Sequence, residues 1–254
     1  MDTASVLNFI SGLELKEPQE QFKTKKKRSL TNNFELVAEG KEQIFIADKS
    51  IVSFVSQVGN QNRKDVLNST LFAQMAAHKK FPDEKNLIEW YNTFVNVLSS
   101  VGWNIEASEF AKWESSKSIL EVENVIIDIL TAAFGANYIA IIKNTLESIK
   151  KLSDGNNKLN VFEKNTHTLS KGCFQMAIAV EENDTVALQL ATFFLTSKNE
   201  IQKIIFFKST KDSTKLEYAS KRGTLNTELY SQIRFGVLEK LGTAIKNNIA
   251  EIEI

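Results

Sequence analysis

Gly172-Cys173-Phe174-Gln175-Met176-Ala177-Ile178-Ala179-Val180 sets its large apolar side chains at 174, 176, 178 and 180, the two-residue period of a β-strand with one heavily buried face. Glu181-Glu182-Asn183-Asp184 reads as the turn of a hairpin rather than as a cation site. Beyond it Val186, Leu188, Leu190 and Phe194 alternate with Ala187, Gln189 and Ala191 in a second strand. Ser197-Lys198-Asn199-Glu200 turns the chain again, and Ile201–Lys208, apolar on both faces at Ile204-Ile205-Phe206-Phe207, is expected to be a third, central strand.

Working outward, Leu159–Lys164 and Lys215–Ser220 complete an expected antiparallel meander. Thr224 or Asn226 caps a last helix in which Leu229, Ile233, Val237, Leu241, Ile245 and Ile249 recur nearly every fourth residue, suited to cover one sheet face. Ser153-Asp154-Gly155-Asn156-Asn157 is the linker at which the period changes from 3.6 to 2. Before it the chain is mainly helical. Gln43–Ala47 alternates as a strand, Ile51–Val55 fits helix or strand, and a helix capped at Asn62 or Asp65 carries Val66, Leu67, Leu71, Met75 and His78 near one face. Leu87, Ile88, Tyr91, Phe94, Val95 and Leu98 form the apolar stripe of the next helix, closed at Gly102. Trp103, Phe110 and Trp113 read as anchors under an irregular connection.

Val125–Ile142 has a single charge, Asp128, and approaches the length of a membrane span. Gly135-Ala136-Asn137 divides it into two helices, and Glu121, Asn124, Asp128 and Thr131 give it a polar stripe, so a helical hairpin packed on the second sheet face is expected. The alternative is a hairpin able to refold into a bilayer. The fold class is therefore α+β, a three-layer α/β/α sandwich, with residues 1–32 as a peripheral extension and 33–254 as one domain.

The 254 residues hold 31 basic and 31 acidic side chains, 43% hydrophobic and 24% charged, which leaves no net field for nucleic acid. One cysteine excludes an internal disulfide and, without Cys or His neighbours, a zinc site. No metal and no nucleic-acid partner is expected. Asp2 stands where a secretory signal has basic residues, so the chain is expected in the cytoplasm of its producing cell or released without a cleaved signal. Lys23–Arg28 is a basic run in which Lys25, Lys26, Lys27 and Arg28 would meet an anionic surface if they meet anything; a solvated connector is the alternative.

Phosphate-loop, nucleophile-elbow and Cys-x-x-Cys patterns are absent. His78 reads as a helix-terminal residue, and His167 with Cys173 is the one pair that offers a nucleophile and a base. Glu106 and Glu109 are the carboxylates on which an enzymatic reading would rest. Cys173 has two readings: a small apolar strand residue, or an acceptor for a fatty acyl chain, each buried CH₂ of which contributes about 0.8 kcal/mol to membrane binding.

The helical first half, the Ala-rich apolar hairpin Ile126–Ile142, the strand opening at Lys171-Gly172-Cys173-Phe174-Gln175 and the closing helix together resemble the Evf-type bacterial virulence factors. That resemblance implies an α/β/α fold over roughly residues 35–250 and a palmitoyl group on an internal cysteine, here Cys173. The expected lipid cavity is lined by Ile126, Leu130, Phe134, Ile141, Phe174 and Met176. A non-enzymatic virulence or effector-like protein acting at membranes follows, with no cofactor other than a covalent acyl group and with membrane lipid or a fatty acyl chain as partner. The alternatives are a self-associating interaction module without lipid and an enzyme of another kind.

Overall fold

The computed structural model describes residues 2–17, 40–82, 86–106, 109–114, 117–152 and 156–252. In chain order these form α1 (Thr3–Gly12), β1 (Gln43–Ala47), β2 (Ser50–Phe54), α2 (Asn60–Lys80), α3 (Leu87–Ser100), β3 (Trp103–Ile105), β4 (Ala111–Lys112) and β5 (Ile119–Glu121). Then follow α4 (Val122–Phe134), a single 3-10 turn at Ala136–Tyr138, α5 (Ile139–Lys151), α6 (Asn157–Thr166), β6 (Lys171–Glu182), β7 (Thr185–Ser197), β8 (Lys208–Thr210), β9 (Thr214–Leu225), α7 (Thr227–Leu241), α8 (Ala244–Asn248) and β10 (Ile249–Ile252).

The alternation that starts at Cys173 is realised as the β6–β7 hairpin, with Cys173 opposite Phe194 and Phe174 opposite Phe193. Its turn places Asn183 and Asp184 at positive φ, as a tight hairpin requires. The main sheet runs β10-β1-β2-β6-β7-β9-β3, with β4 also on β9. It is mixed rather than a pure antiparallel meander, because β2 lies parallel to β6. One sheet face, carrying Phe45, Val52, Phe54, Cys173, Ala177 and Leu190, is covered by α1, α2, α3 and α7. The other, carrying Ile44, Ile51, Phe174, Met176, Ile178 and Phe193, is covered by α4, α5 and α6. The molecule is an α+β sandwich of three layers.

Four expected elements come out differently. Leu159–Lys164 is helix α6 rather than strand: the Asn156 side chain accepts from the N–H groups of Lys158 and Leu159, and Leu159, Phe162 and Thr166 fall on one buried face. Ile201–Phe207 is not a central strand. Ile201, Ile204, Ile205 and Phe207 are buried against the α4–α5 side, but their segment is held by non-ladder bonds, Ile201 N–H to Leu169 O (2.9 Å) and Ile204 N–H to Glu163 Oε2 (3.0 Å). A short apolar run without alternation has no period to specify a ladder. The last helix stops at Leu241, because Gly242 takes a positive φ of 50° and ends it, and Ile249 and Ile252 become the buried positions of β10 beside β1. Finally, part of the expected extension is core: α1 buries Val6 and Ile10 and packs on α7, where Gly236 gives Leu7 room.

Asn226, one of the two expected caps, does accept from Leu229 N–H at 2.9 Å. The α2 helix begins after Gly59 rather than at Asn62 or Asp65, and it is buried nearly all round from Arg63 to Ala77 despite its many polar side chains. Several of those side chains have partners across the layer, although among the described residues Asn68 Oδ1 and Thr70 Oγ1 are buried without a hydrogen bond. Gln74 donates to Ser50 and to Gln175 Oε1 (3.1 Å), and Gln175 donates to Thr192 (3.1 Å), which ties α2 to the centre of the sheet. Gly172 is small for a reason of space, since a Cβ there would meet the side chains of Ile204 and His167.

Candidate functional site

Alternation along β6 decides the geometry of the expected acyl site. Cys173 is 1% exposed and belongs to the core beneath α2 and α3. Ile126, Leu130, Ile141, Phe174 and Met176 pack together in the core beneath α4 and α5, with Phe134 half-buried at its border. The structure thus brings the six expected lining residues together and puts Cys173 on the opposite side of the sheet from them. The signal was in the sequence: residues 173 and 174 are neighbours in a strand, so their side chains point to opposite faces.

The same parity separates His167 from Cys173. A Cβ on Gly172 would lie 3.1 Å from His167 Cβ and against Ile204, which places the imidazole on the α4–α5 side. His167 Nε2 is 3.0 Å from Glu163 Oε2 and its Nδ1 is 3.0 Å from Thr168 O. Both nitrogens are engaged in fixing the α6–β6 turn, whereas Cys173 belongs to the core on the other side of the sheet. Glu106 and Glu109 are exposed on the segment after β3. Lys25, Lys26, Lys27 and Arg28 lie outside the described residues.

His78 does sit in the last turn of its helix, as expected, but inside a buried cluster. Its Nε2 is 2.9 Å from Asp48 Oδ2, its ring lies 5.4 Å from that of Trp90, and Asn165 Nδ2 donates to Asp48 Oδ1 at 2.7 Å. Burial pushes the His78 imidazole below its ordinary pKa, outweighing the upward pull of Asp48, and the nearby Lys49 and Lys16 act in the same direction as burial. For Asp48 burial acts upward, but His78, Lys49 and Lys16 outweigh it and hold the carboxyl below its usual range. Folding therefore disfavours the imidazolium form of His78. The stability contributed by His78 is present above the unfolded pKa of 6.5 and is lost as pH falls through the lower folded value. Urea unfolding midpoints should accordingly fall between pH 7.5 and pH 5 and fall less in His78→Gln; equal pH slopes for the two proteins would contradict this account.

Sequence reading assigned the α4–α5 hairpin to the interior, yet it carries an extended uncharged surface. Residues 129–142 contain no charged side chain. Ile129, Leu130, Ile141 and Ile142 are buried, but Ala132, Ala133, Gly135, Ala136, Asn137 and Ala140 are exposed and Phe134, Tyr138 and Ile139 half-exposed. Gly135, at φ 93°, makes the sharp stop of α4 that turns this apex outward. Among the described residues no helix is long and apolar enough to cross a membrane, and no group of His, Cys, Asp and Glu is placed to hold a metal ion.

This arrangement defines a class of architecture, an α+β sandwich whose mixed sheet is enclosed by two helical layers. No family model and no curated protein matches the chain. Among solved structures it is similar to the Evf virulence factor, at 10% identity over 80% of this chain and 83% of that one, with a TM-score of 0.38. It is also similar to a delta-endotoxin, at 13% identity over 70% of this chain and 85% of that one (TM-score 0.40). A third is the activated Cyt2Ba monomer from Bacillus thuringiensis subsp. israelensis, at 17% identity over 69% and 95% (TM-score 0.37). By name these neighbours include a virulence factor and an endotoxin.

Proposed function

We propose that this chain is a non-enzymatic, virulence or effector-like protein that acts at membranes through the apex of the α4–α5 hairpin. The observation that supports the reading is the exposed, wholly uncharged apex around Phe134 and Tyr138, continuous with buried Ile129, Leu130, Ile141 and Ile142. Apolar surface transferred from water gains about 25 cal/mol per Å², and aromatic rings favour the interface between headgroups and acyl chains. Lys143 and Lys150, on the exposed side of α5, would remain among headgroups as the apex enters.

Flotation with lipid vesicles tests this. Ala136→Asp alters an exposed position, so the fold is retained, while a charge carried into the bilayer costs up to about 3 kcal/mol. The bound fraction should fall at least about tenfold, and Phe134→Asp should act the same way. Undiminished binding by both variants would sink the proposal. Acylation of Cys173 is a finer part of the same reading. A thioester there would place its chain between the sheet and the α2–α3 layer, since Cys173 belongs to that core. Its sign would be an added acyl mass on the intact protein, removed by hydroxylamine and absent from Cys173→Ser.

A further inference from the structure

We propose that the cleft between β4 and the β8–β9 turn is a binding site for a phosphorylated polyol, separate from the hairpin apex and independent of the reading above. The cleft holds about 610 Å³ and is lined by Lys112, Trp113, Lys198, Lys211 and Ser197, among others. Its shape is fixed by backbone bonds: Trp113 N–H to Leu216 O (2.9 Å), Lys198 N–H to Ser213 O (2.8 Å) and Lys211 N–H to Ser118 O (3.0 Å). Three separate segments are thus pinned around one space.

Of the lysines that line the cleft, Lys215 pairs with Glu217. Among the described residues Lys112, Lys198 and Lys211 have no such carboxylate partner, although the cleft is also lined by Glu114 and Asp212. A ligand suited to both signs carries concentrated negative charge for the ammoniums and hydroxyl donors for the carboxylates. Phosphate groups on a polyol supply both. Ser197 Oγ accepts from Asn199 N–H and from the Thr214 hydroxyl, each at 3.0 Å, so its own hydrogen remains to be donated to a ligand oxygen. Trp113, half-buried between the cleft and the Tyr218 ring 6.5 Å away, offers a face to the C–H side of a ring.

Two sources carry this chemistry, a soluble phosphoester and a phosphoinositide headgroup, and tryptophan fluorescence separates them. Trp90 and Trp103 are buried, so Trp113 is placed to report. Titration with inositol trisphosphate should give a saturable change that disappears in Trp113→Phe and weakens at least about tenfold in Lys198→Gln/Lys211→Gln, whose sites are surface turns. Phosphatidylcholine vesicles carrying phosphatidylinositol bisphosphate should give the same change if the headgroup is the source; a response to the soluble probe alone assigns the site to a soluble phosphoester. No saturable change with either probe, binding undiminished in the double lysine variant, or equally effective displacement by sulfate would each overturn the proposal.

Discussion

Arg63→Met should lower the stability of this protein by about 3–5 kcal/mol, seen as a fall in the urea midpoint with an unchanged slope. Arg63 is fully buried at the start of α2, and its charge is met by dipoles rather than by direct contact with a carboxylate. Nε donates to Val58 O (2.8 Å), Nη2 to Lys41 O (2.8 Å), Val55 O (3.1 Å) and Ser56 O (3.3 Å), and Nη1 to Gln43 Oε1. Gln43 in turn donates to Glu251 Oε1 at 2.9 Å, so the guanidinium organises the β2–α2 connection and reaches the strand at the sheet edge. Methionine fills the space of the stem beside Phe54 but leaves several buried acceptors without donors, each worth about 1–3 kcal/mol. Lysine, a single ammonium with three donors, should restore only part of the loss. A cost under about 1 kcal/mol for Arg63→Met would mean that water satisfies these carbonyls.

Arg234→Ala should cost about 3 kcal/mol by stranding the charge of Asp65. The pair is bidentate, with Nε to Oδ1 at 2.8 Å and Nη2 to Oδ2 at 2.7 Å, and Asp65 is 1% exposed whereas Arg234 is 29% exposed. It joins α7 to α2, and among the described residues the side-chain donor that remains to Asp65 when the guanidinium is gone is Gln61 Nε2, at 2.9 Å. Burial and the Asp65 charge push the Tyr230 phenol up, so it keeps its proton. Adding Asp65→Asn to Arg234→Ala should recover stability relative to Arg234→Ala alone, because the uncompensated charge is removed. Strictly additive losses in this cycle would show that the two side chains act independently.

Neither arginine's role could be read from the chain. Asp65 was legible only as a helix cap, because its partner stands 169 residues away and no local period marks the pair. The long strands were legible for the opposite reason: β6 and β7 are buried on both sides, and the strict alternation from Phe174 to Val180 leaves a single register in which Phe174 meets Phe193. Where polarity and period disagree, the reading failed. Leu159–Lys164 was read as a strand of the meander, but the cap at Asn156 governs that segment. Ile201–Phe207 carried hydrophobicity without period, and burial proved to be its whole content. The hairpin apex was legible as uncharged but not as exposed, because the inward direction of a helix hairpin is set by the tertiary contact of Ile126, Leu130 and Ile141 with the sheet.

The parallel pairing of β2 with β6 affects how the molecule comes together. Ser50 aligns with Gln175 and Phe54 with Ala179, while α2 to α6 lie between these strands in the chain. Closing so long a loop carries an entropic cost before any contact returns it. The β6–β7 hairpin can form early because its pairing is local, yet both of its faces are apolar and stay exposed to solvent until the two helical layers are in place. During refolding that hairpin is the segment through which one chain would adhere to another, so the yield of native protein should depend on how quickly β2 reaches its side.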